Sequence, residues 1–319
     1  MSHILVTGGA GFIGSHLVGA LVREGREVVA LDNFDEFYLP EIKRRNLEAL
    51  AGRPGFTLIE GDIRNESLVE RMFTTHPIGV VVHLAARAGV RPSIQQPAIY
   101  CDVNVRGTAT LLEACRRHEV AKFLFGSSSS VYGNNAKLPF SEKDEVDRPV
   151  SPYAATKRSG ELLCATYHEL YRLNVFALRF FTVYGPRQRP EMAIHRFTRL
   201  IDRGLPLPRF GDGSTRRDYT YITDIIDGIQ RAIERVQGFE IINLGGSRTT
   251  SLSDLISLLE KNLQQRAIVE QEPGQPGDVV ATYADVEKAQ RLLGYEPKVG
   301  VDDGIGRFVE WYRSLKVHA

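Results

Sequence analysis

Tyr153 and Lys157, four residues apart, are the pair in this chain best suited to moving a proton. They fall in Ser151-Pro152-Tyr153-Ala154-Ala155-Thr156-Lys157, where Ser151 reads as a helix N-cap and Pro152 as the first helical residue, whose missing N–H costs nothing. One turn apart, the phenol and the ammonium share a helix face. A positive charge beside a phenol favours the phenolate, so Tyr153 is expected to act as a general base or acid near neutral pH. The spacing alone is common on helix surfaces, and its meaning depends on what the chain builds around it.

The first such element is Thr7-Gly8-Gly9-Ala10-Gly11-Phe12-Ile13-Gly14, between a short apolar strand from His3 to Val6 and a helical stretch carrying Phe12, Ile13, Leu17, Val18, Leu21 and Val22 at helical period. Glycines at a strand-to-helix turn serve a dinucleotide: Gly8 for the tight turn, Gly11 for close approach of a pyrophosphate, Gly14 for helix-on-strand packing. The free N–H groups of the helix N-terminus face the anion. The second strand, Glu27 to Leu31, ends in Asp32, placed to accept from a ribose 2′-hydroxyl. A carboxylate there repels a 2′-phosphate, so NAD is expected rather than NADP.

Strand and helix then alternate. Phe56–Glu60 leads into Gly61-Asp62-Ile63 and a helix over Glu66–Thr75, and Gly79–Leu84 is an apolar strand running into the small Ala85-Ala86. Pro97–His118 is a long helix whose Asn104 reads as a satisfied core amide, and Lys122–Phe125 is a fifth strand. Such alternation predicts an α/β fold, a Rossmann-type doubly wound parallel sheet with its ligand site off the strand C-termini. Ser127-Ser128-Ser129-Ser130 leaves the fifth strand at that end, offering hydroxyl donors to a substrate oxygen. The polar stretch from Asn134 to Val150 reads as a loop or lid, and Val175–Phe180 as a sixth strand.

Taken together, the glycine turn, Asp32, Asp62-Ile63, the serine run closing in Val131-Tyr132-Gly133 and Tyr153-x-x-x-Lys157 resemble the extended short-chain dehydrogenase/reductase superfamily, and within it the nucleotide-sugar 4-epimerases. The resemblance implies Tyr153 as catalytic base, Lys157 lowering its pKa and holding the nicotinamide ribose, and Ser128 orienting the sugar oxygen. It implies NAD contacts from Gly8, Gly11, Phe12, Ile13, Gly14, Asp32, Asn33, Asp62, Ile63, Leu84, Ala85 and Ala86. Arg217, in Phe210 to Tyr219, matches the diphosphate-binding segment, and Asp278 in Pro276-Gly277-Asp278 the ribose contact. Gln275 replaces an arginine often found there. Residues 1–179 are expected to form the NAD-binding domain and 180–319 mainly a smaller, interleaved α/β substrate domain.

The resemblance also bears on the chemistry. Decarboxylases and 4,6-dehydratases of this group usually carry acids where this chain has Ser129 and Ser130, which favours plain epimerisation. Phe181-Thr182-Val183-Tyr184-Gly185-Pro186-Arg187-Gln188-Arg189-Pro190 and Ala88-Gly89-Val90-Arg91-Pro92-Ser93 look like UDP-glucuronate 4-epimerases. A C6 carboxylate needs hydroxyl or cationic donors in a shielded site. Ser128, Ser129, Ser130 and Thr182 are the expected hydroxyls, with Arg91 or Arg189 as the cation and Ser127 a substrate contact beside Ser128; alternatively Arg91 caps a loop and Arg189 serves the nucleotide. At Thr282 UDP-glucose epimerases commonly have a bulky aromatic; the small residue would also admit a 2-acetamido group, which makes a UDP-GlcNAc epimerase the alternative, with UDP-glucose epimerase beside it. An NAD-sensing regulator on the same fold is the reading from another class, disfavoured because both Tyr153 and Lys157 are intact.

Composition sets the outer limits. The 319 residues hold 40 basic and 39 acidic side chains, a balance that points to no nucleic-acid or membrane-surface partner. Cys101, Cys115 and Cys164 have neither disulfide nor metal spacing and are expected as buried thiols, with no metal. No apolar run reaches membrane-spanning length, and with a strand starting at His3 no leader is expected, so a cytoplasmic location is. The apolar faces of Pro97–His118 and Tyr153–Tyr171 are expected to pair with a second copy in a homodimer.

Overall fold

The computed structural model describes residues 2–273 and 279–317. Its frame is a seven-stranded sheet in the order β11-β6-β5-β4-β1-β2-β3, every neighbouring pair parallel. The strands are β1 His3–Thr7, β2 Val28–Asp32, β3 Phe56–Glu60, β4 Ile78–His83, β5 Lys122–Ser128, β6 Asn174–Phe180 and β11 Phe239–Leu244. Helices α1 (Phe12–Arg23), α2 (Pro40–Leu47), α3 (Glu66–Thr75), α4 (Val90–Gln95), α5 (Pro97–Cys101), α6 (Gly107–Arg117), α7 (Pro152–Tyr171) and α9 (Ile222–Arg235) flank it. Strand order reverses between β1 and β4, which opens a crevice at their C-terminal ends.

The sheet sits between two apolar layers because its strands alternate large apolar side chains to both faces. Ile4, Val6, Val28, Leu124, Phe176 and Leu178 pack with α1 and α9 on one side. Leu5, Val29, Leu31, Val81, Phe123 and Phe125 pack with Leu111, Leu112 and Cys164 on the other. The remaining elements are β7 (Thr182–Tyr184), α8 (Ala193–Asp202), β8 (Pro206–Phe210), β9 (Arg216–Arg217), β10 (Tyr219–Tyr221), β12 (Thr250–Ser251), α10 (Leu252–Leu263), β13 (Ile268–Glu272), α11 (Glu287–Leu293) and α12 (Val301–Val317). Between these segments α9 and β11 return to the main sheet. Asn243, at the end of β11, donates its amide to Phe140 O at 2.9 Å and Asp285 O at 3.1 Å and accepts the Tyr132 hydroxyl at 2.7 Å, stitching the 134–150 segment to the sheet.

Two local features differ from expectation. The long helix after Pro97 is interrupted by a π turn at Asp102–Arg106, with Asn104 inside it. The Asn104 side chain accepts from Arg87 N (2.7 Å) and donates to Arg87 O and Thr156 Oγ1 (both 3.0 Å), tying that turn to the cleft wall and to α7. Cys101 is exposed; only Cys115 and Cys164 are buried, and all three are free thiols. Among the described residues no helix is long and apolar enough to cross a membrane.

Helix α7 is capped as its sequence predicts: Ala154 N donates to Ser151 Oγ at 3.1 Å, with Pro152 first in the helix. Its seat on β5 depends on Gly160, where an added Cβ would overlap the Phe125 ring. Gly160→Ala is therefore expected to lift α7 from β5 and destabilise by about 1–3 kcal/mol, visible as a several-degree fall in Tm by calorimetry.

Candidate active site

The crevice at the β1/β4 switch is a cleft of about 400 Å³. At one end the chain makes the turn Gly8–Gly14. Gly8 has φ +69°, and a Cβ on it would meet Ala85 N at 2.8 Å, so β1 and β4 approach here as only glycine allows. A Cβ on Gly14 would overlap the Gly8 carbonyl and Gly9 Cα, both backbone that cannot give way. Helix α1 begins at Gly11 with no side-chain cap, leaving its first-turn N–H groups open to an anion. Asp32 closes the turn from β2: its carboxylate accepts from Ala10 N (3.0 Å) and Phe34 N (2.9 Å), with Lys43 Nζ 3.9 Å away. Asp62 accepts from Asn33 Nδ2 at 3.0 Å and from the Arg64 guanidinium, whose hydrogen bonds hold its carboxyl at about 2. These residues fit a dinucleotide: a glycine cradle with no room for side chains, open N–H groups for phosphate, and a carboxylate at the second strand end.

At the other end α7 lies along the last three residues of β5. Lys157 Nζ donates to Gly126 O at 2.6 Å, Ser127 Oγ donates to Glu161 Oε1 at 2.6 Å, and Ser128 hydrogen-bonds the Tyr153 phenol. Ser128 Oγ also accepts from Ser130 N at 3.2 Å, which caps the 3₁₀ turn of Ser129–Tyr132 and fixes the serine loop. Burial pushes the Tyr153 phenol above its ordinary pKa, against the pull of Ser128 and of the Arg189 charge. Burial brings the Lys157 ammonium down to about 8, against the pull of Glu161. The Arg189 charge thus pulls on the phenol against burial, while Lys157 donates to the β5 backbone. His83 braces the strand ends from below, Nδ1 on Thr7 Oγ1 (2.7 Å) and Nε2 on Thr108 Oγ1 (2.9 Å), and burial holds it neutral, at about 3.

All the residues expected to touch the cofactor, Gly8, Gly11, Phe12, Ile13, Gly14, Asp32, Asn33, Asp62, Ile63, Leu84, Ala85, Ala86, Tyr153 and Lys157, line this one cleft, as do Ser127, Ser128, Ser129, Ser130, Thr182 and Arg189. Arg91 and Arg217 are not on its wall. Arg91 stacks on Phe210 of β8 at 5.0 Å, and Arg217 donates to Arg216 O at 2.9 Å on β9. Asp278 and Gln275 lie outside the described residues. Thr282 is buried with its hydroxyl accepting Asp218 N at 3.2 Å, and it is not among the residues of the cleft wall. Sequence reasoning missed Asp35, Phe37, Tyr38, Lys43, Arg87, Val103 and Met192, which also line the wall. Phe37 lies between two cations, 5.3 Å from the Arg87 guanidinium and 5.7 Å from that of Arg189, and Asp35 holds Arg87 at 2.7 Å. The only hint was aromatic density in the loop after Asp32.

A doubly wound sheet with this cleft and this helix defines an extended short-chain dehydrogenase/reductase. A family model described as GDP-mannose 4,6 dehydratase matches residues 5–308, and the chain belongs to that family. It is 42% identical over 315 residues to the UDP-glucuronate 4-epimerase of Thermodesulfobacterium geofontis, covering 98% of this chain and 97% of that protein. Among solved structures, the UDP-glucuronic acid 4-epimerase from Bacillus cereus in complex with UDP-glucuronic acid and NAD superposes with a TM-score of 0.93 at 41% identity, covering 98% of this chain and 99% of that one. A Thermotoga maritima UDP-glucose 4-epimerase with UDP-glucose superposes at 0.91 and 35% identity, with 98% and 99% covered.

Gly14→Ala is expected to force α1 off the turn and cut dinucleotide retention at least tenfold, read from the nucleotide released on acid precipitation, with circular dichroism unchanged.

Proposed function

We propose that this protein catalyses NAD-dependent C4 epimerisation of a UDP-sugar, UDP-glucuronate to UDP-galacturonate, through a transient 4-keto sugar. The observation that carries it is the serine loop. Ser128, Ser129 and Ser130 face the same cleft as Tyr153, Thr182 and Arg189, and the acids on the described wall are Asp32, Asp35 and Asp62, each already paired on the Asp32 side. A dehydratase or decarboxylase of this group would want an acid in that loop to work on C5. Hydroxyls and one guanidinium suit a carboxylate that is to be held and left alone.

The residue roles follow. Gly8, Gly11, Phe12, Ile13 and Gly14 cradle the diphosphate of NAD, Asp32 takes the adenosine ribose, and Asn33, Asp62, Ile63, Leu84, Ala85 and Ala86 flank it. The chemistry NAD supplies when bound is reversible two-electron oxidation at the sugar C4. Tyr153 takes the C4 hydroxyl proton as general base, its phenolate favoured against burial by the Ser128 hydroxyl and the Arg189 charge, and returns it once the ring has turned about its diphosphate tether. Ser128 holds the C4 oxygen against Tyr153, and Lys157 presents a cation beneath both. Thr182, the serine loop and Arg189 hold the C6 carboxylate, whose C–C bond would break if it aligned with the C4 carbonyl π system. Residues 1–179 serve the cofactor and 180–319 mainly the UDP-sugar. The exposed Leu162 and Leu170, two turns apart on α7, supply apolar surface for a homodimer, and the cytoplasm is the proposed location.

A UDP-glucose or UDP-GlcNAc epimerase is the second reading, supported by the likeness to the Thermotoga maritima protein. Incubation with UDP-glucuronate, UDP-glucose and UDP-GlcNAc separately, with chromatography of products, decides between them; UDP-galacturonate without pentose is the expected result. Tyr153→Phe is expected to lower kcat about 10²–10⁴-fold with little change in KM. Thr182→Ala is expected to raise the UDP-pentose by-product, and an unchanged product ratio would remove Thr182 from the carboxylate site.

A further inference from the structure

The segment that carries Arg189 to the cleft wall is held in an unusual way. After β7 the chain runs Gly185-Pro186-Arg187-Gln188-Arg189-Pro190. Gly185 has φ +142° and lies so close to α9 that a Cβ would overlap Cγ2 of Ile222. Arg187 has φ +65°, in the left-handed region that residues other than glycine seldom enter. Such backbone costs free energy and persists only where its surroundings hold it. Here a histidine holds each flank: His16 Nε2 donates to Pro186 O at 2.9 Å, and His195 Nδ1 to Gln188 O at 2.7 Å. Gln188, 2% exposed, adds a bond from its Nε2 to Val183 O at 3.2 Å.

The two histidines reach the loop from different parts of the chain. His195 belongs to α8, just beyond the loop. His16 is 170 positions before Pro186, on α1, one turn past the Phe12 of the cofactor cradle, and the two rings meet edge to face with centroids 6.0 Å apart. Burial, then the Arg187 and Arg23 charges, bring His16 down to about 4 against the pull of the Pro186 bond, so its ring carries one N–H at neutral pH. A carbonyl only accepts, which puts that N–H on Nε2. We propose that His16 is a positioning residue: with His195 it fixes the turn at Arg187, and thereby the place of Arg189 on the cleft wall. The helix that closes the glycine cradle would then also set the guanidinium of the substrate end. The consequence for substrate choice rests on the reading above, in which Arg189 meets the C6 carboxylate.

The surroundings of Arg189 show why its place matters. Its side chain is 19% exposed, pairs with Glu191 at 3.3 Å and lies 5.7 Å from the Phe37 ring. Its backbone carbonyl accepts from Met192 N at 3.1 Å, which closes the next turn. A guanidinium grips a carboxylate through two parallel hydrogen bonds, and these weaken steeply as distance and angle depart from ideal. A loop that slackens at Arg187 would therefore spoil the grip without touching the cofactor. A histidine that only packed on Phe12 would need no N–H aimed at the loop, and that difference is open to experiment.

The test compares His16→Phe, which keeps a ring on Phe12 and loses the donor, with His16→Ala, which loses both, and His16→Gln, which keeps an N–H donor. Two quantities are read on NAD-loaded protein: the apparent Kd of UDP-glucuronate and of UDP by calorimetry, and the Arg189 Nε–H signal by ¹⁵N NMR, assigned through Arg189→Leu. His16→Phe and His16→Ala should each weaken UDP-glucuronate about tenfold, leave UDP unchanged and shift the Arg189 signal. His16→Gln should keep both readings near wild type. Adding Arg189→Leu to His16→Phe should cost little more than Arg189→Leu alone, because the two changes act on one contact. An Arg189 signal unmoved in His16→Phe and His16→Ala overturns the proposal. So does an equal loss of UDP and UDP-glucuronate, which would mark His16 as general scaffold. If Arg189→Leu itself leaves the preference for UDP-glucuronate over UDP intact, the carboxylate reading fails, while a signal that shifts in His16→Phe and returns in His16→Gln still gives His16 the placing of Arg189.

Discussion

The interaction on which the rest depends is the seating of α7 on the end of β5. A helix placed there brings a phenol, an ammonium and a carboxylate down onto three consecutive strand residues, and each finds a partner on β5. The contact is close because Gly160 offers no side chain to the Phe125 ring. It is also expensive, since it removes a lysine from water and lets burial pull its proton affinity down to about 8. Everything else in the cleft is arranged around that buried charge.

The two ends of the cleft are built on different principles. The Gly8–Gly14 end works by removing matter: no side chains, a helix start without a cap, and backbone that can reach an anion. The Tyr153 end works by adding hydroxyls and cations to a wall whose acids are all committed elsewhere. That division explains how a family whose model is described by a dehydratase can contain a chain suited to plain epimerisation. The function proposed above puts that difference at Ser129 and Ser130 and leaves the cofactor end unaltered.

How much of this could be read from the chain varies with the range of the interaction. The glycine turn, Asp32 and the Tyr153/Lys157 helix are local patterns whose residues meet in one cleft, and the Ser151 cap is as local. The first six strands came from alternating apolar runs and differ from their expected bounds by three residues at most, as at the end of β5. What was not legible is what depends on partners distant in sequence. Arg189, 36 positions further along the chain, pulls on the Tyr153 phenol. Arg91 is drawn to Phe210, 119 positions away, and Glu161 reads as an ordinary helical acid until β6 delivers Arg179. The π turn at Asn104 likewise has no local signal, because its bonds run to Arg87 and Thr156.

The central claim is that chemistry happens at C4, with the C5 hydrogen and the carboxylate left in place. The most direct measurement is the reaction of UDP-glucuronate in D₂O, with the product sugar examined by NMR. UDP-galacturonate with no deuterium on the ring, and no pentose, is the predicted result, since the C4 hydrogen returns without meeting solvent and no residue of the serine loop deprotonates C5. Deuterium at C5, or a pentose as the main product, would contradict the account.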